Sequence, residues 1–478
     1  MKIEKVFKNI AKLSKKTSQD VYVVGGYVRD ELLGKEIKKD IDFVVNGSGL
    51  AFAQAFDREM KGVGRLVEFP NFDTARYLFF DKEEHIILET EFAGARKEQY
   101  KKGSRKPKVE TTTIQEDLSR RDFTVNAMTQ KIGTRGLLGE VIDLFDGQSD
   151  LQKKILRTPL DPDETFSDDP LRMLRAARFA AQLDFEIEEE TLTAMKKNAK
   201  RLKIVSRERI LEEFLKLLSS QRPSTGLWIL QETGLMDEFL PEIGKLAGVE
   251  EIFGHGHKDN LWHTFAVVDN IAEYSENAML RFAGFMHDIG KADTKKYSKG
   301  RGWTFDMHEH LGRKMVRQIG KRLKMSKDDT EYVAQLVRWH LQPIALMDDG
   351  VTDSPVRRLI VDLQENLDDL LILCRADVTT GNPKKKAKRL NNYDFLEKRI
   401  EEVLEKDKLR AFQSPVRGEE IMELCGLKPG PTVGKIKTAI EDAILDGEIP
   451  NEYENAFAYF QKIKGEYMKD AEEWEKKT

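Results

Sequence analysis

The chain has 478 residues, 40% hydrophobic and 34% charged, enough for several domain-sized cores and too apolar for a disordered polymer. Its 79 Lys and Arg against 83 Asp and Glu give a net charge of −4, which excludes nucleic-acid binding by bulk charge and leaves only local basic patches. Two cysteines, Cys374 and Cys425, exclude a disulfide scaffold and a zinc ribbon and fit a reducing, cytoplasmic setting.

The first residues, MKIEKVFKNIAKLSKK, predict a basic amphipathic helix without the apolar stretch of a secretory leader. No run approaches about 18 apolar residues, so no membrane span is expected. Residues 1–150 read as a mixed α/β head, with strand candidates at 21–24, 41–46, 74–80 and 85–92 and helical pieces at 27–33 and 50–60. From about residue 170 strand signals nearly vanish, and apolar residues recur at helical spacing, as in DPLRMLRAARFAAQL and SRERILEEFLKLLSS. The expectation is an α+β chain, a small mixed-sheet head followed by an extended all-helical body, divided as 1–150, 151–250, 251–390 and 391–478. Prolines 223 and 241 and the Gly/His stretch 254–257 interrupt the body, and the basic run 381–389 reads as a break before the last helices.

Within the head, a strand, the pair Gly25-Gly26 and a helix form a turn in which backbone amides can approach a phosphate, with Arg29 in its first turn. Fourteen residues after Gly26 comes Asp40-Ile41-Asp42; on a strand its two carboxylates face the same side. The pair suits a solvated edge or a Mg²⁺ site, and the glycine turn favours the ion, because a phosphate cradle and a metal site serve one chemistry together.

These residues carry a resemblance. The segment VVGGYVRDELLGKEIKKDIDFVV is similar to the head motif of the tRNA nucleotidyltransferase/poly(A) polymerase family, a branch of the polymerase-β-like nucleotidyltransferases. Further motifs follow in family order: RKEQYKKGSRKPKV resembles the flexible loop, EDLSRRDFTVNAM the RRD motif, and VIDLFDG and DDPLRMLRAARFAAQL the elements after it, with a neck helix at 206–218. The resemblance implies template-independent addition of CCA to tRNA from CTP and ATP, with Asp40 and Asp42 holding Mg²⁺ and the primer hydroxyl attacking the α-phosphate. It also implies Glu91 as a third carboxylate, ahead of Glu89 on the same strand face. Arg120, Arg121, Asp122 and Asn126 match sugar and phosphate contacts. The loop, with seven Lys or Arg against one Glu over residues 93–109, would help switch nucleotides. Asp169 and Arg172, three apart at a helix start, pair an acceptor with a donor. Cytosine and adenine present the complementary edge and uracil and guanine the reverse, although Asp169 also suits a helix cap. Arg175 and Arg178 continue an arginine row for triphosphate or for helix-surface pairing.

The second constellation is His263, His287-Asp288 and Asp377, each at the end or face of an apolar helix. The set resembles the HD metal-dependent phosphohydrolase superfamily, in which imidazoles and carboxylates hold a divalent metal that activates water. His308, His310 and His340 are candidates for a second metal or a phosphate. Domains of this kind in the family are linked to phosphatase and cyclic-phosphodiesterase activity; the other reading is a domain that only packs or binds RNA. In the tail, Gly430-Pro431 and Gly434 suggest a turn whose amides hold an RNA phosphate, or a plain helix–helix turn. The rivals to CCA addition are a poly(A) polymerase, an enzyme adding only CC or only A, and an HD phosphohydrolase with a nucleotide-binding head.

Overall fold

The computed structural model describes residues 3–35, 40–99, 108–248, 251–252, 255–256, 259–347, 351–407, 414–469 and 471–476. It forms two compact units, residues 1–248 with 319–325, and residues 249–318 with 326–478. The expected division at 150 thus falls inside the first unit and that at 390 inside the second.

The first unit is built on a seven-stranded mixed sheet. Its strands are β1 (Val21–Val24), β2 (Asp40–Val45), β3 (Gly64–Phe69), β4 (Thr74–Phe80), β5 (Ile86–Gly94), β8 (Met128–Ile132) and β9 (Leu138–Asp143), ordered β3-β4-β5-β2-β1-β8-β9. Only β2 and β5 run parallel, with α3 (Gly49–Met60) in the crossover between them. Ser48 starts α3 by accepting from the Ala51 amide, and the helix lays Phe52 and Phe56 on the sheet, where they pack with Phe92 and Phe43. The amphipathic helix α1 (Ile3–Thr17) buries Val6, Phe7, Ile10 and Leu13, with Phe7 packed against Tyr27 and Phe43. A short helix α2 (Gly26–Leu32) follows β1, and the loop segment begins and ends as a hairpin of β6 (Arg96–Gln99) and β7 (Lys108–Thr111). The remainder of the expected loop, 100–107, lies outside the described residues.

Helices α4 (Ile114–Ser119), α5 (Gly147–Lys153), α6 (Pro162–Asp168), α7 (Leu171–Leu183), α8 (Glu189–Asn198), α9 (Arg207–Leu218), α10 (Pro223–Glu232) and α11 (Pro241–Gly244) complete the unit. The two prolines read as interruptions are helix starts, at the first helical position where the missing amide costs nothing. The apolar and small residues of α7 are almost all buried, and it packs against α9 and α10.

The second unit is helical: α12 (Asn260–Ala272), α13 (Ala278–Met286), α14 (Lys291–Thr294), α15 (His308–Leu323), α16 (Lys327–Trp339), α17 (Gln342–Ala345), α18 (Asp353–Leu363), α19 (Leu367–Ala376) and α20 (Pro383–Asp407). The basic run at 381–389 is mostly not a break. Asn382 accepts from two amides at the start of α20, and the lysines after Pro383 are its first turns, as suits good helix formers. Helices α21 (Gly418–Cys425), α22 (Pro431–Leu445) and α23 (Tyr453–Lys469) close over a small core of Ile421, Ile436, Ile440 and Phe460.

Candidate active sites

The register of the first sheet builds the first site. Parallel pairing of β2 with β5 sets Asp40 beside Glu89 and Asp42 beside Glu91. Antiparallel pairing of β4 with β5 sets Arg76 beside Glu91. Four carboxylates thus share one face of the sheet. Asp42 lies at the wall of a cavity of about 300 Å³, and its pKa is pushed up to about 7, first by the loss of surrounding water and then by the charges of Asp40 and Glu91. Such a donor set, all hard oxygens at mutual repulsion, fits a divalent cation. Arg76 pairs with Glu91 Oε2 at 2.9 Å and with Glu89 Oε1 at 3.1 Å.

The glycine turn adjoins the cavity, which the preceding residue Val24 lines. Gly25 has φ +70°, a conformation that favours glycine, and a Cβ there would lie 3.2 Å from the Arg121 guanidinium, which would have to give slightly. Its amide donates to the Met128 carbonyl at 3.3 Å, and Gly26 opens α2. Arg29 is buried and turned inward, donating to Asp30 Oδ1 at 2.8 Å and Asn126 Oδ1 at 2.7 Å.

The cavity wall is arginine-rich: Arg96, Arg120, Arg121, Arg172, Arg175 and Arg209 all line it. Asp117, fully buried on α4, anchors Arg120 at 2.5 Å and Arg121 at 3.5 Å. Asp122 is the keystone of an internal network. It accepts from the Phe123 amide (2.9 Å), Asn126 Nδ2 (3.1 Å) and both Nε (2.8 Å) and a terminal nitrogen (2.5 Å) of Arg175. Burial raises its pKa, but the Arg175 fork and Asn126 more than reverse this and hold the carboxyl well below the usual range. Asn126 stands in a short 3₁₀ turn rather than an α-helix and still reaches Asp122. Arg178 is buried and pairs with Glu213 of α9 at 2.7 Å; unlike Arg175 it does not line the cavity.

Asp169 and Arg172 both face the cavity. Asp169 Oδ1 accepts the Leu171 amide at 3.2 Å, as a cap would, while Oδ2 pairs with Arg209 of α9 at 3.2 Å. Arg172 donates to the Arg120 carbonyl at 2.6 Å and the Thr165 carbonyl at 3.4 Å. Arg76, Asp117, Arg209 and Glu213 were not singled out from the sequence. For α9 a signal exists, since Arg209 and Glu213 are four apart and share a helix face.

The second site lies in the second unit. Gly290 lets the turn after His287-Asp288 press on α15, where a Cβ would lie 2.3 Å from the His308 carbonyl. His263 Nε2 is 2.9 Å from Asp377 Oδ1 and 3.5 Å from Asp288 Oδ2, and its Nδ1 meets the Thr379 hydroxyl at 2.8 Å. His287 Nε2 lies 3.1 Å from Asp288 Oδ2. The four expected ligands are therefore together. His308 and His340 join them through the other oxygen of Asp288, at 3.3 and 3.8 Å, with their Nε2 atoms 3.3 Å apart. His287, His308 and His340 each direct Nδ1 at a backbone carbonyl, of Gly284, Phe305 and Val337, at 2.7–2.8 Å. Their Nε2 lone pairs therefore converge on the carboxylates, an arrangement that only a cation or a proton relieves. Burial and the neighbouring imidazole of His287 push His340 down to about 3, which leaves its ring neutral. Asp288 is held well below the carboxylate range, since His287 and Lys291, the latter at 2.6 Å, overcome its burial. His310 does not join: it is half-exposed and paired with Glu309.

The tail turn carries no open amide cradle. Glu475 occupies it, accepting from the Thr432 amide and hydroxyl at 2.8 Å each, so the expected phosphate site is internally filled by a carboxylate.

Comparison with known proteins identifies the family. Residues 21–157 match the poly A polymerase head domain, 184–246 the probable RNA and SrmB-binding site of polymerase A, and 261–382 the HD domain. A multifunctional CCA protein of Vibrio parahaemolyticus is 33% identical over 374 residues, covering 75% of this chain and 84% of its own. An A-adding tRNA nucleotidyltransferase of Deinococcus radiodurans is 33% identical over 358 residues, covering 73% and 79%. The fold is similar to that of the Bacillus stearothermophilus CCA-adding enzyme in complex with CTP, with a TM-score of 0.66 at 22% identity over 98% of this chain and 100% of that one. On these matches the chain belongs to the tRNA nucleotidyltransferase/poly(A) polymerase family of enzymes, in its form with an appended HD domain.

Proposed function

We propose that the first site completes tRNA 3′ ends with CCA from CTP and ATP in the cytoplasm. The observation that carries this reading is the row Asp40–Asp42–Glu91, of which Asp42 and Glu91 line an arginine-walled cavity of about 300 Å³. Asp40 and Asp42, with Glu91, would hold Mg²⁺, which when bound polarises the α-phosphate and lowers the pKa of the primer hydroxyl. Arg120 and Arg121, braced by Asp117, hold the triphosphate oxygens against the glycine turn. Arg175 and Asn126, braced by Asp122, shape the sugar side. Asp169 and Arg172 read the base edge; to do so Asp169 exchanges Arg209, and Arg172 a carbonyl, for the amino group and ring nitrogen of C or A. The test is to incubate the enzyme with tRNA transcripts lacking CCA, ending in CC, or complete, supply CTP and ATP singly and together, and sequence the products. Ordered C, C, A addition supports the reading. Acceptance of CC-ended tRNA alone makes it an A-adding enzyme, addition of CC alone a CC-adding one, and unlimited adenylation a poly(A) polymerase.

The converging Nε2 atoms favour a second activity. His263, His287, Asp288 and Asp377 would hold a divalent metal, and Asp288 with His308 and His340 would suit a second. Hydrolysis of a 2′,3′-cyclic nucleotide that depends on added metal, together with bound metal measured by elemental analysis, supports a phosphohydrolase. Metal-free, inert protein reduces the domain to a scaffold.

A further inference from the structure

Arg76 lies outside the segments that carry the family resemblance, yet the sheet sets it in line with the carboxylate row. Residues directly opposed across strands have Cβ atoms about 4.5–5.5 Å apart, so Arg76, Glu91 and Asp42 form one row over β4, β5 and β2. The guanidinium divides its donors between two glutamates, Nε on Glu91 Oε2 at 2.9 Å and a terminal nitrogen on Glu89 Oε1 at 3.1 Å. Its own position is fixed from the next strand, where it lies over the Phe69 ring at 5.7 Å. Glu91 and Glu89 stand two apart on β5, beside Asp42 and Asp40 respectively, so without a device to separate them either could swing onto an ion held by the aspartates. The fork supplies that device: it holds Glu89 by Oε1, and it takes only Oε2 of Glu91, leaving Oε1 outside the fork.

We infer that Arg76 is a positioning residue that fixes Glu91 as the third metal carboxylate and keeps Glu89 off the ion. It acts through Glu91, and the inference rests on the role proposed above for that residue. Both functions of the guanidinium, its charge and its fork, are separable by substitution. Arg76→Gln removes both, and Arg76→Lys restores the charge as a single ammonium that cannot bridge two carboxylates.

The experiment measures Mn²⁺ binding to nucleotide-free protein by the electron paramagnetic resonance of the free ion, in an Asp288→Ala background that removes the shared HD ligand. In parallel it measures kcat and KM for CTP on a tRNA lacking CCA. Arg76→Gln should bind Mn²⁺ on the order of tenfold more tightly, the scale of one competing neighbouring charge. Its kcat should fall about 10- to 100-fold, as when a partner orienting a metal ligand is lost. Arg76→Lys should return Mn²⁺ affinity to within about twofold of the parent and leave kcat low. The pair is half-exposed, so the melting temperature should stay put in both variants. Full recovery of kcat by lysine, or an unchanged kcat in Arg76→Gln, overturns the inference. An active Glu91→Gln variant instead removes the role of Glu91 on which it rests, whereas an inactive Glu91→Gln beside an active Glu89→Gln agrees with the assignment.

Discussion

Asp122 separates two accounts of the RRD segment. If its carboxylate contacts the ribose, Asp122→Asn raises the nucleotide KM and leaves the fold alone. The structure gives it other work. One oxygen faces the Phe123 amide and Asn126 Nδ2, the other faces two nitrogens of Arg175, and the side chain is buried. An asparagine of the same shape must point its NH₂ at one of these donor pairs whichever way it turns, and Arg175 keeps only the more distant Glu213, at 3.8 Å, as a counterion. Breaking a buried ion pair from one side costs about 3–5 kcal/mol. In a unit of this size each kcal/mol moves the melting temperature by about 2–4 °C, so a fall of the order of 10 °C is expected for the first unit. The pH dependence has a definite sign. The folded pKa of Asp122 is depressed, so its contribution is complete above the unfolded carboxylate pKa of about 3.9 and is lost as pH falls toward the folded value. The stability gap between wild type and variant should therefore be constant above about pH 5 and shrink below about pH 4. Urea unfolding at several pH values and kcat/KM for CTP and ATP check this. Wild-type stability with a raised KM alone would refute the network and restore the ribose contact.

Other substitutions give equally distinct outcomes. Asp42→Ala should abolish nucleotide addition at saturating Mg²⁺ while tRNA binding persists, a loss of at least several kcal/mol of transition-state stabilisation; filter binding beside turnover separates the two. Asp288→Ala should leave CCA addition intact and release the metal of the HD cluster, read by elemental analysis, because that carboxylate faces both imidazole groups. Asp169→Ala should raise UTP incorporation relative to CTP and ATP by about 10- to 150-fold, the worth of one lost hydrogen bond to a charged group, and unchanged selectivity would leave Asp169 as a cap braced by Arg209. Gly290→Ala should lower both metal content and melting temperature, since its Cβ would force the His308 carbonyl away from 2.3 Å.

The head was legible where apolar alternation met one buried face. DIDFVV and TARYLFF announce β2 and β4 because their inward residues are uniformly apolar. GRLVEF, which forms β3, went unread because it is an edge strand whose side chains are nearly all solvent-facing. β8 was missed for the opposite reason: Thr129 is a buried polar residue, and its hydroxyl donates to the Val23 carbonyl at 2.7 Å, satisfying itself across the sheet in a way no local pattern reveals.

The same division runs through the sites. Motifs that are local in the chain, the glycine turn, the paired aspartates and the His-Asp doublet, announce their chemistry because neighbouring residues must share a face. Pairings between distant segments do not: Arg175 meets Asp122 from 53 residues away, Arg209 meets Asp169 from 40, and Arg76 meets Glu91 only through strand register. A sequence lists charges without saying which cancel, so Arg175 and Arg178 read alike, for triphosphate or for helix-surface pairing, until Glu213 is seen to claim Arg178. Part of this was recoverable. Arginines at 172, 175 and 178 recur every three residues and so share one side of a helix. A second helix bearing Arg209 and Glu213 on one face is what such a row needs in order to be buried at all, because unpaired guanidinium groups do not enter a core. His308 and His310 obey the same rule from the other side. Residues two apart on a helix point in different directions, so only one of them could ever have reached Asp288.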